Sequence, residues 1–369
     1  MKILCVHQSS ELYGSDRSFV QSVQVLRSKY PQSNITVILP KDGPLVDLLS
    51  PISNEVIFEN IGVFARVDYK KKPFKTFGSI FSSVLKARKR IVNYDVVYVN
   101  TLVVLSYLIA SIFTGKIINH VRETPSKIES LVFSLLFFLN RSVLIFNSKY
   151  TRNRFYIRKG HGFVVHNGVS EPASEKIQVN CSSNGLNLLL IGRINSWKGQ
   201  RLSIEMVSDL KSKGIDVNLR IVGSTATNQQ FYLDELMHLV DTLSLKENVE
   251  FYAFDSDPSA HYQWSNIVLV PSIKPEPFGR VAVEGMSYNK VVIAANHGGL
   301  SEIFENNEGG ILFEPSSTDS LSQAVSLFYN DDTLLQKKSN EGLLRFRSKF
   351  SDSIYQKNMS DLFSKILSE

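Results

Sequence analysis

The stretch IVLVPSIKPEPFGRVAVEGMSYN, residues 267–289, holds in one run the unit from which the whole chain is built. Four apolar residues read as a buried strand, a loop with Pro and Gly follows, and a helical pattern begins near Gly279. Glu276 and Glu284 stand eight positions apart. On one continuous helix that is close to two turns, which would put both acids on one face. Glu276 precedes Pro277, however, and so belongs to the loop, while Glu284 falls inside the helix. One reading is a ligand that spans a helix N-terminus with an acid at either end. The other is a solvated helix with two unrelated surface acids, and spacing alone favours it.

Outward from this unit, short β-branched runs alternate with helical patterns. Strand-like runs fall at 2–7, 35–39, 55–59, 96–100, 116–121, 142–146 and 163–166, and a second series at 186–191, 217–222, 249–254, 267–270, 291–295 and 310–313. Most are separated by enough residues for a crossover helix, so βαβ units and parallel sheets are expected. Between the two series, VSEPASEKIQVNCSSN (169–184) is polar and aperiodic and reads as a linker. The expected organisation is a first domain at 1–168, a linker at 169–184, a second domain at 185–350 and a C-terminal helix at 351–369. Open parallel sheets bind ligands outside the carboxyl ends of their strands. Two such domains facing each other would frame a cleft, and the chemistry-bearing motifs should fall just after strands.

The bulk properties are compatible with this. The chain has 369 residues, ample for two domains, with 43% hydrophobic and 21% charged residues. A net charge of +6 is too modest to imply nucleic-acid binding. The cations cluster, in YKKKPFK (69–75) and KARKR (86–90), with Phe77, Ile80, Phe81, Val84 and Leu85 at helical spacing between them. The segment 126–139 is strongly apolar as well. This suits peripheral attachment to an anionic membrane surface, against the plainer reading of a core helix and a solvated basic face. The longest apolar runs, 102–113 and 131–139, fall short of the roughly 20 residues needed to span a bilayer. Two cysteines, Cys5 and Cys181, give neither a disulfide framework nor a zinc site, and residues 1–6 read as a strand rather than a secretory signal. A reducing, cytoplasmic setting is expected.

Candidate sites do fall after strands. Strand 186–191 runs into GRINSWKGQ (192–200), where Gly192 permits a close turn and Arg193 and Lys198 bracket it beside a helix start. That is a candidate diphosphate site, since helix N-termini favour anions and Arg binds them bidentately; the alternative is a turn with two exposed cations. Strand 217–222 ends in Gly223 and Ser224. After strand 267–270, backbone N–H groups near Phe278, Gly279 and Arg280 are candidates to meet a phosphate, and Glu284 to accept from ribose hydroxyls. Strand 291–295 ends in NHGGLSE, where Gly298 and Gly299 allow close backbone approach. In the first half, Gly14 and Ser15 sit where a short loop feeds a helix, with Ser15 or Asp16 as its cap. His120 lies near the carboxyl end of strand 116–121, followed by Arg122 and Glu123. A lone histidine is more often structural than catalytic, but a strand-end position strengthens the catalytic reading.

Together these motifs resemble glycosyltransferase family 4, retaining enzymes of the GT-B fold. The resemblance rests on the E-x7-E element Glu276–Glu284, on GRINSWKG as the Gly-Arg…Lys-Gly diphosphate loop, on VHNGV (165–169) entering the linker, and on NHGGLSEI as the Gly-Gly-x-x-Glu loop. It covers most of the chain and implies two Rossmann-like doubly wound domains facing across a cleft, with the C-terminal helix returning to the first. Arg193 and Lys198 would then neutralise the donor diphosphate, Glu276 bind the sugar hydroxyls, Glu284 the ribose, and His120 stand close to the reacting sugar. Gly14 and Ser15 match the glycine-rich loop in part, Ser15 replacing its second Gly.

The resemblance further implies a UDP- or GDP-linked sugar as donor, a glycan or lipid-linked acceptor, no cofactor, and fixed cations in place of a metal. A rival signal is Asp255-Ser256-Asp257: in another glycosyltransferase fold such a DxD holds a divalent metal, and here it also fits a turn and helix cap. A nucleotide-sugar epimerase of the same fold, or a non-catalytic nucleotide-binding protein, is the alternative. A phosphorylase lacks its pyridoxal lysine here, and a Rossmann dehydrogenase lacks its G-x-G-x-x-G after the first strand. The oligomeric state stays open.

Overall fold

The computed structural model describes residues 1–12, 14–62, 73–114, 117–173 and 185–367, without the side chains of 73–80 and 306. The chain divides into two compact units, Met1–Gly168 with Tyr355–Glu369, and Val169–Ile354.

In the first unit the strands are β1 (Lys2–Val6), β2 (Asn34–Leu39), β3 (Glu55–Phe58), β4 (Val96–Asn100), β5 (Ile117–Val121), β6 (Val143–Phe146) and β7 (Gly162–Val164). They form one sheet in the order β3-β2-β1-β4-β5-β6-β7, and every pairing is parallel. The second unit has β8 (Leu186–Ile191), β9 (Val217–Val222), β10 (Val249–Tyr252), β11 (Ile267–Val270), β12 (Val291–Ala295) and β13 (Ile311–Phe313). Its order is β10-β9-β8-β11-β12-β13, again all parallel. Each sheet thus starts in its middle, runs to one edge and then to the other. This doubly wound Rossmann order leaves a switch point between β1 and β4 in one unit and between β8 and β11 in the other.

The apolar runs are continuous because helices cover both faces of each sheet. Side chains alternate between faces with period two. Leu186, Leu188 and Leu190 pack with Ile267, Leu269 and Ile293 on one face of the second sheet. Leu189, Val268, Val270 and Val292 pack on the other with Phe278 and Phe346. The first sheet repeats this, with Ile3, Cys5 and Tyr98 on one side and Leu4, Val6, Val97 and Val99 on the other. Two strands end two residues sooner than expected: β10 stops at Tyr252 and β7 at Val164. Both are edge strands, held from one side only.

The helix Asp352–Leu367 sets Tyr355, Met359, Leu362 and Phe363 into the first unit's core, at the i, i+4, i+7, i+8 spacing of one helical face. Tyr355 Oη also meets Ser22 Oγ at 2.7 Å. Of the linker segment, 174–184 lie outside the described residues, as does Cys181, whereas Val169 pairs with the chain at 350–352 through N–H···O bonds of 3.0 and 2.9 Å.

Candidate functional site

The loops after β8 and β11 meet at the second unit's switch point. Asn195 Oδ1 accepts from the N–H groups of both Trp197 and Lys198, 3.1 Å each, and so folds GRINSWKG into a compact turn. Trp197 O accepts from Ile273 N–H at 2.7 Å, tying this turn to the loop that follows β11. Gly199, at φ 79, closes the turn and precedes the helix Gln200–Ser212. Its α-carbon lies so near the other loop that a Cβ would stand 2.0 Å from Pro271 O.

This junction places Lys198 Nζ 2.7 Å from Glu276 Oε1. Ser272 Oγ donates to the same oxygen. The ammonium also sits 4.7 Å from the centre of the Trp197 ring. Burial by itself would raise the Glu276 carboxyl, but Lys198, the Ser272 hydroxyl and the nearby His297 outweigh it and hold the group below its usual range. Glu276 is therefore an ionised, oriented acceptor with lone pairs to spare, and Lys198 keeps two of its three donors.

The NHGG loop after β12 supports this pair from behind. Gly299 N–H donates to Glu276 O at 2.8 Å, and His297 Nε2 lies 2.7 Å from Ser272 O. Gly298, at φ 66, would drive a Cβ to 2.5 Å from Glu276 O. The close approach expected of Gly298 and Gly299 is thus an approach to the Glu276 loop itself.

Glu284 lies in the helix Arg280–Ser287 as expected. Arg280 Nε donates to its Oε1 at 2.8 Å and Tyr262 Oη to its Oε2 at 3.1 Å. Tyr262 stacks on Tyr288, centroids 4.6 Å apart, and burial pushes its hydroxyl well above the usual tyrosine range. Phe278 turns its ring into the core beside Phe350, so its candidate contribution is its backbone. Gly279, at φ 115, precedes the helix. Gly192 and Gly223 lie side by side at the ends of β8 and β9, where a Cβ on Gly223 would stand 2.0 Å from Gly192 O. Arg193 is exposed in the same turn as Lys198, and its carbonyl accepts from Gln200 Nε2 at 3.1 Å.

In the DSD stretch, Asp255 Oδ1 accepts from Asp257 N–H at 2.9 Å and Asp257 Oδ1 from Ser259 N–H at 3.2 Å, a turn leading into the helix Ser259–Trp264.

The first unit gathers a buried polar network at the carboxyl ends of β1, β4 and β5, most of it missed by sequence reasoning. His7 Nε2 meets Asp16 Oδ1 at 2.7 Å, and Asn100 Nδ2 donates to His7 Nδ1 at 2.9 Å. Asp16, expected as a cap, lies inside the helix Gly14–Lys29 and serves this pair instead, because its side chain points back under the strand end. Gly14 and Ser15 open that helix, and Ser15 O accepts from Asn100 Nδ2 at 3.4 Å.

Arg122 Nε donates to Asn100 Oδ1 at 2.7 Å, Nη1 to Asn167 Oδ1 at 2.5 Å and Nη2 to His120 Nδ1 at 3.2 Å. His120 is fully buried, with Tyr98 Oη 2.7 Å from the same Nδ1. Arg is only a donor, so Nδ1 accepts and the ring proton sits on Nε2. Burial and then the Arg122 charge depress His120 well below the usual imidazole value, keeping it neutral. Its Nε2 has no hydrogen-bond partner among the described residues. Beside it Thr101, a β-branched residue, holds φ 77, a strained conformation at the end of β4. The sequence signal was there: His7, Asn100 and His120 each put a polar group at the carboxyl end of an apolar strand.

Comparison with known proteins completes the picture. Residues 173–344 match the sequence model of the family described as Glycosyl transferases group 1. The capsular polysaccharide biosynthesis glycosyltransferase CapM of Staphylococcus aureus is 28% identical over 179 residues, 48% of this chain and 46% of the relative. The uncharacterized glycosyltransferase MJ1178 of Methanocaldococcus jannaschii is 30% identical over 214 residues, 58% of this chain and 56% of the relative. The chain thus spans about half the length of the curated relatives it matches. In fold it is similar to Anabaena Alr3699/HepE, solved in complex with UDP-glucose, with a TM-score of 0.80 at 23% identity over 99% of this chain and 100% of that one. That likeness spans both Rossmann-like units and gives the chain the GT-B fold. The match to the glycosyl transferases group 1 family lies in the second unit and takes in its switch-point loops.

Proposed function

We propose that the chain is a retaining glycosyltransferase of family 4, moving a sugar from a UDP- or GDP-linked donor to a glycan acceptor carried on a lipid, at the cytoplasmic side of a membrane. The observation that carries the reading is the Lys198–Glu276 pair at the switch point between β8 and β11. A fixed cation next to an ionised carboxylate suits a ligand with a diphosphate at one end and hydroxyls at the other. CapM is named for capsular polysaccharide synthesis, and a Campylobacter jejuni relative, 27% identical over 162 residues, for transfer to a diphospho-undecaprenol-linked sugar.

In this reading Lys198 and Arg193 take the negative charge that grows on the diphosphate as the anomeric carbon–oxygen bond breaks, a preplaced stabilisation that needs no metal. The N-termini of the helices Gln200–Ser212 and Arg280–Ser287, beginning after Gly199 and Gly279, favour the same anion. Glu276 accepts from the donor sugar's hydroxyls. Glu284, held by Arg280 and Tyr262, accepts from the ribose. The acceptor hydroxyl bonds to the anomeric carbon on the face the diphosphate leaves, and its proton passes to the departing phosphate oxygen. The first unit handles the acceptor, and neutral His120 offers an Nε2–H donor to a sugar oxygen rather than acting as a base.

A thermal-shift screen over UDP- and GDP-sugars tests the donor, since a ligand that binds the folded form raises its melting point. A shift with one donor, lost in Lys198→Ala, and transfer that persists in EDTA are expected. No shift with any nucleotide sugar, or turnover abolished by EDTA, overturns the reading. Epimerised donor formed without acceptor would assign the fold to the epimerase alternative.

A further inference from the structure

We propose that the helix Lys127–Asn140 of the first unit is a docking face for a bilayer surface with anionic headgroups, lying flat in its interfacial layer. The inference stands independently of the donor reading.

The helix carries apolar side chains on both sides, more than its inward face can bury. Its buried positions are Ser130, Ser134, Phe137 and Asn140. Its solvent side carries Ile128, Leu131, Val132, Leu135 and Phe138, each between 53 and 80% exposed. At 100° per residue these five fall within about a third of the helical circumference, an unbroken apolar stripe. Scattered exposed apolar residues need no explanation, but a contiguous stripe on one element marks an interaction surface. Sequence reasoning left this segment between core helix and membrane face. The helix has both faces: Phe137 is buried with Phe133 and Leu136 packed against the core, while five further apolar side chains are left to solvent.

The helix is firmly built without a partner. Ser126 and Glu129 form a reciprocal capping box. Ser134 Oγ accepts from Tyr156 N–H at 3.0 Å, and Asn140 Nδ2 donates to Leu108 O and Ser111 Oγ at 2.9 and 3.0 Å. Two more exposed aromatics lie in the loops these bonds reach: Tyr156, 79% exposed, and Phe113, 81% exposed, in the turn after Ser111. Arg88 of the basic KARKR run donates to Ile112 O at 2.6 Å in that same turn, so the helix Pro73–Ile91, with Phe81 and Leu85 exposed, ends beside it. Arg90 is spent on Glu59, 2.8 Å away. The KKKPFK cluster lies largely outside the described residues.

Charge complementarity selects the occupant. Between residues 125 and 161 stand seven Lys and Arg against one Glu, a net +6 that equals that of the whole chain. The one acid, Glu129, is engaged at the cap. Arg158 and Lys159 are exposed next to Tyr156. A second copy of the chain would set these cations against each other, whereas an anionic lipid surface attracts them. Apolar stripe, aromatic rim and flanking cations together describe an interfacial helix. Among the described residues no helix is long and apolar enough to cross a membrane, so attachment by this helix is peripheral.

The test is flotation with vesicles of phosphatidylglycerol and phosphatidylcholine at low salt. Wild type is expected to float, and binding to fall at least tenfold in Leu131→Gln/Leu135→Gln, with the melting temperature retained because both positions are exposed. Binding should fall as far on pure phosphatidylcholine, and in Arg158→Glu/Lys159→Glu. Absent flotation of wild type, or undiminished flotation of the Gln variant, overturns the proposal. So does a dimer in sedimentation velocity that the Gln variant dissolves while no vesicle is bound, which would assign the face to a second copy.

Discussion

Lys198 Nζ and Glu276 Oε1 stand 2.7 Å apart although 78 positions separate them in the chain. Glu276→Ala leaves a half-buried ammonium with only the Trp197 ring beside it, and should cost about 1–3 kcal/mol in urea melts. Glu276→Gln keeps a neutral acceptor in place and should cost less. Both, and Lys198→Ala, should lower transfer by at least ~100-fold if the pair holds charge in the transition state. Near-normal turnover in any of the three removes the pair from the mechanism.

The pair also sets an acid limit. The Glu276 carboxyl lies below its ordinary value of 4.5 in the folded chain. Its stabilising contribution is complete above that value and is lost as pH falls through the lower folded one. Lys198→Ala should flatten this part of the stability profile, measured by urea melts between pH 5 and the acid limit of folding.

Gly199→Ala tests the junction of the two loops. The new Cβ would meet Pro271 O at 2.0 Å with the backbone already at φ 79, so the loop must shift. A loss of about 2 kcal/mol or more is expected, together with loss of any nucleotide-induced thermal shift. Gly214→Ala, also at positive φ but with nothing within 4 Å, is the control for backbone strain alone.

These loops were legible in the sequence because each follows an apolar run, and glycine, lysine and glutamate at strand ends have few structural alternatives. The sheets were legible for the same reason: LNLLLI or VVIAA, buried on both faces, leaves little room for polar residues. The His7–Asp16–Asn100–Arg122–Asn167 network was legible only as separate polar groups at strand ends, not as a network. Its members lie on four separate segments, and only the β1–β4–β5 register brings them together. The orientation of the helix Lys127–Asn140 was not legible. Serine interrupts its apolar run at 130 and 134 without saying which face is inward, and the Ser134 and Asn140 bonds to neighbouring loops decide it.

His7 and His120 predict a second loss of stability on acidification, at higher pH. Both are held below the ordinary imidazole value of 6.5, mainly by burial. Asp16 partly offsets this for His7, whereas His120 faces Tyr98 and the Arg122 cation. A depressed histidine stays neutral in the fold while the unfolded chain takes up the proton. Stability should therefore be complete above 6.5 and fall with decreasing pH, by up to about 1.4 kcal/mol per pH unit for each histidine. His120→Asn should remove one share of that slope in melts between pH 7 and 5. An unchanged slope would mean that His120 is protonated in the fold.

Arg122 is the positioning residue behind His120. Its three donor contacts go to Asn100, Asn167 and His120 Nδ1, which no lysine can reproduce from a single nitrogen. Arg122→Lys should cost about 2 kcal/mol, because at least one buried amide oxygen loses its partner. A purely structural role would end there. If Arg122 fixes the ring, Arg122→Met, which also removes the cation, lets the Nδ1–H tautomer appear and raises the His120 pKa, since one of the two causes of its depression is gone. Nitrogen-15 NMR of the imidazole reads both: wild type should show a single Nε2–H form without protonation down to low pH, and the variant a mixture that titrates nearer 6.5. Identical spectra in the two proteins would show that burial alone sets the state of His120.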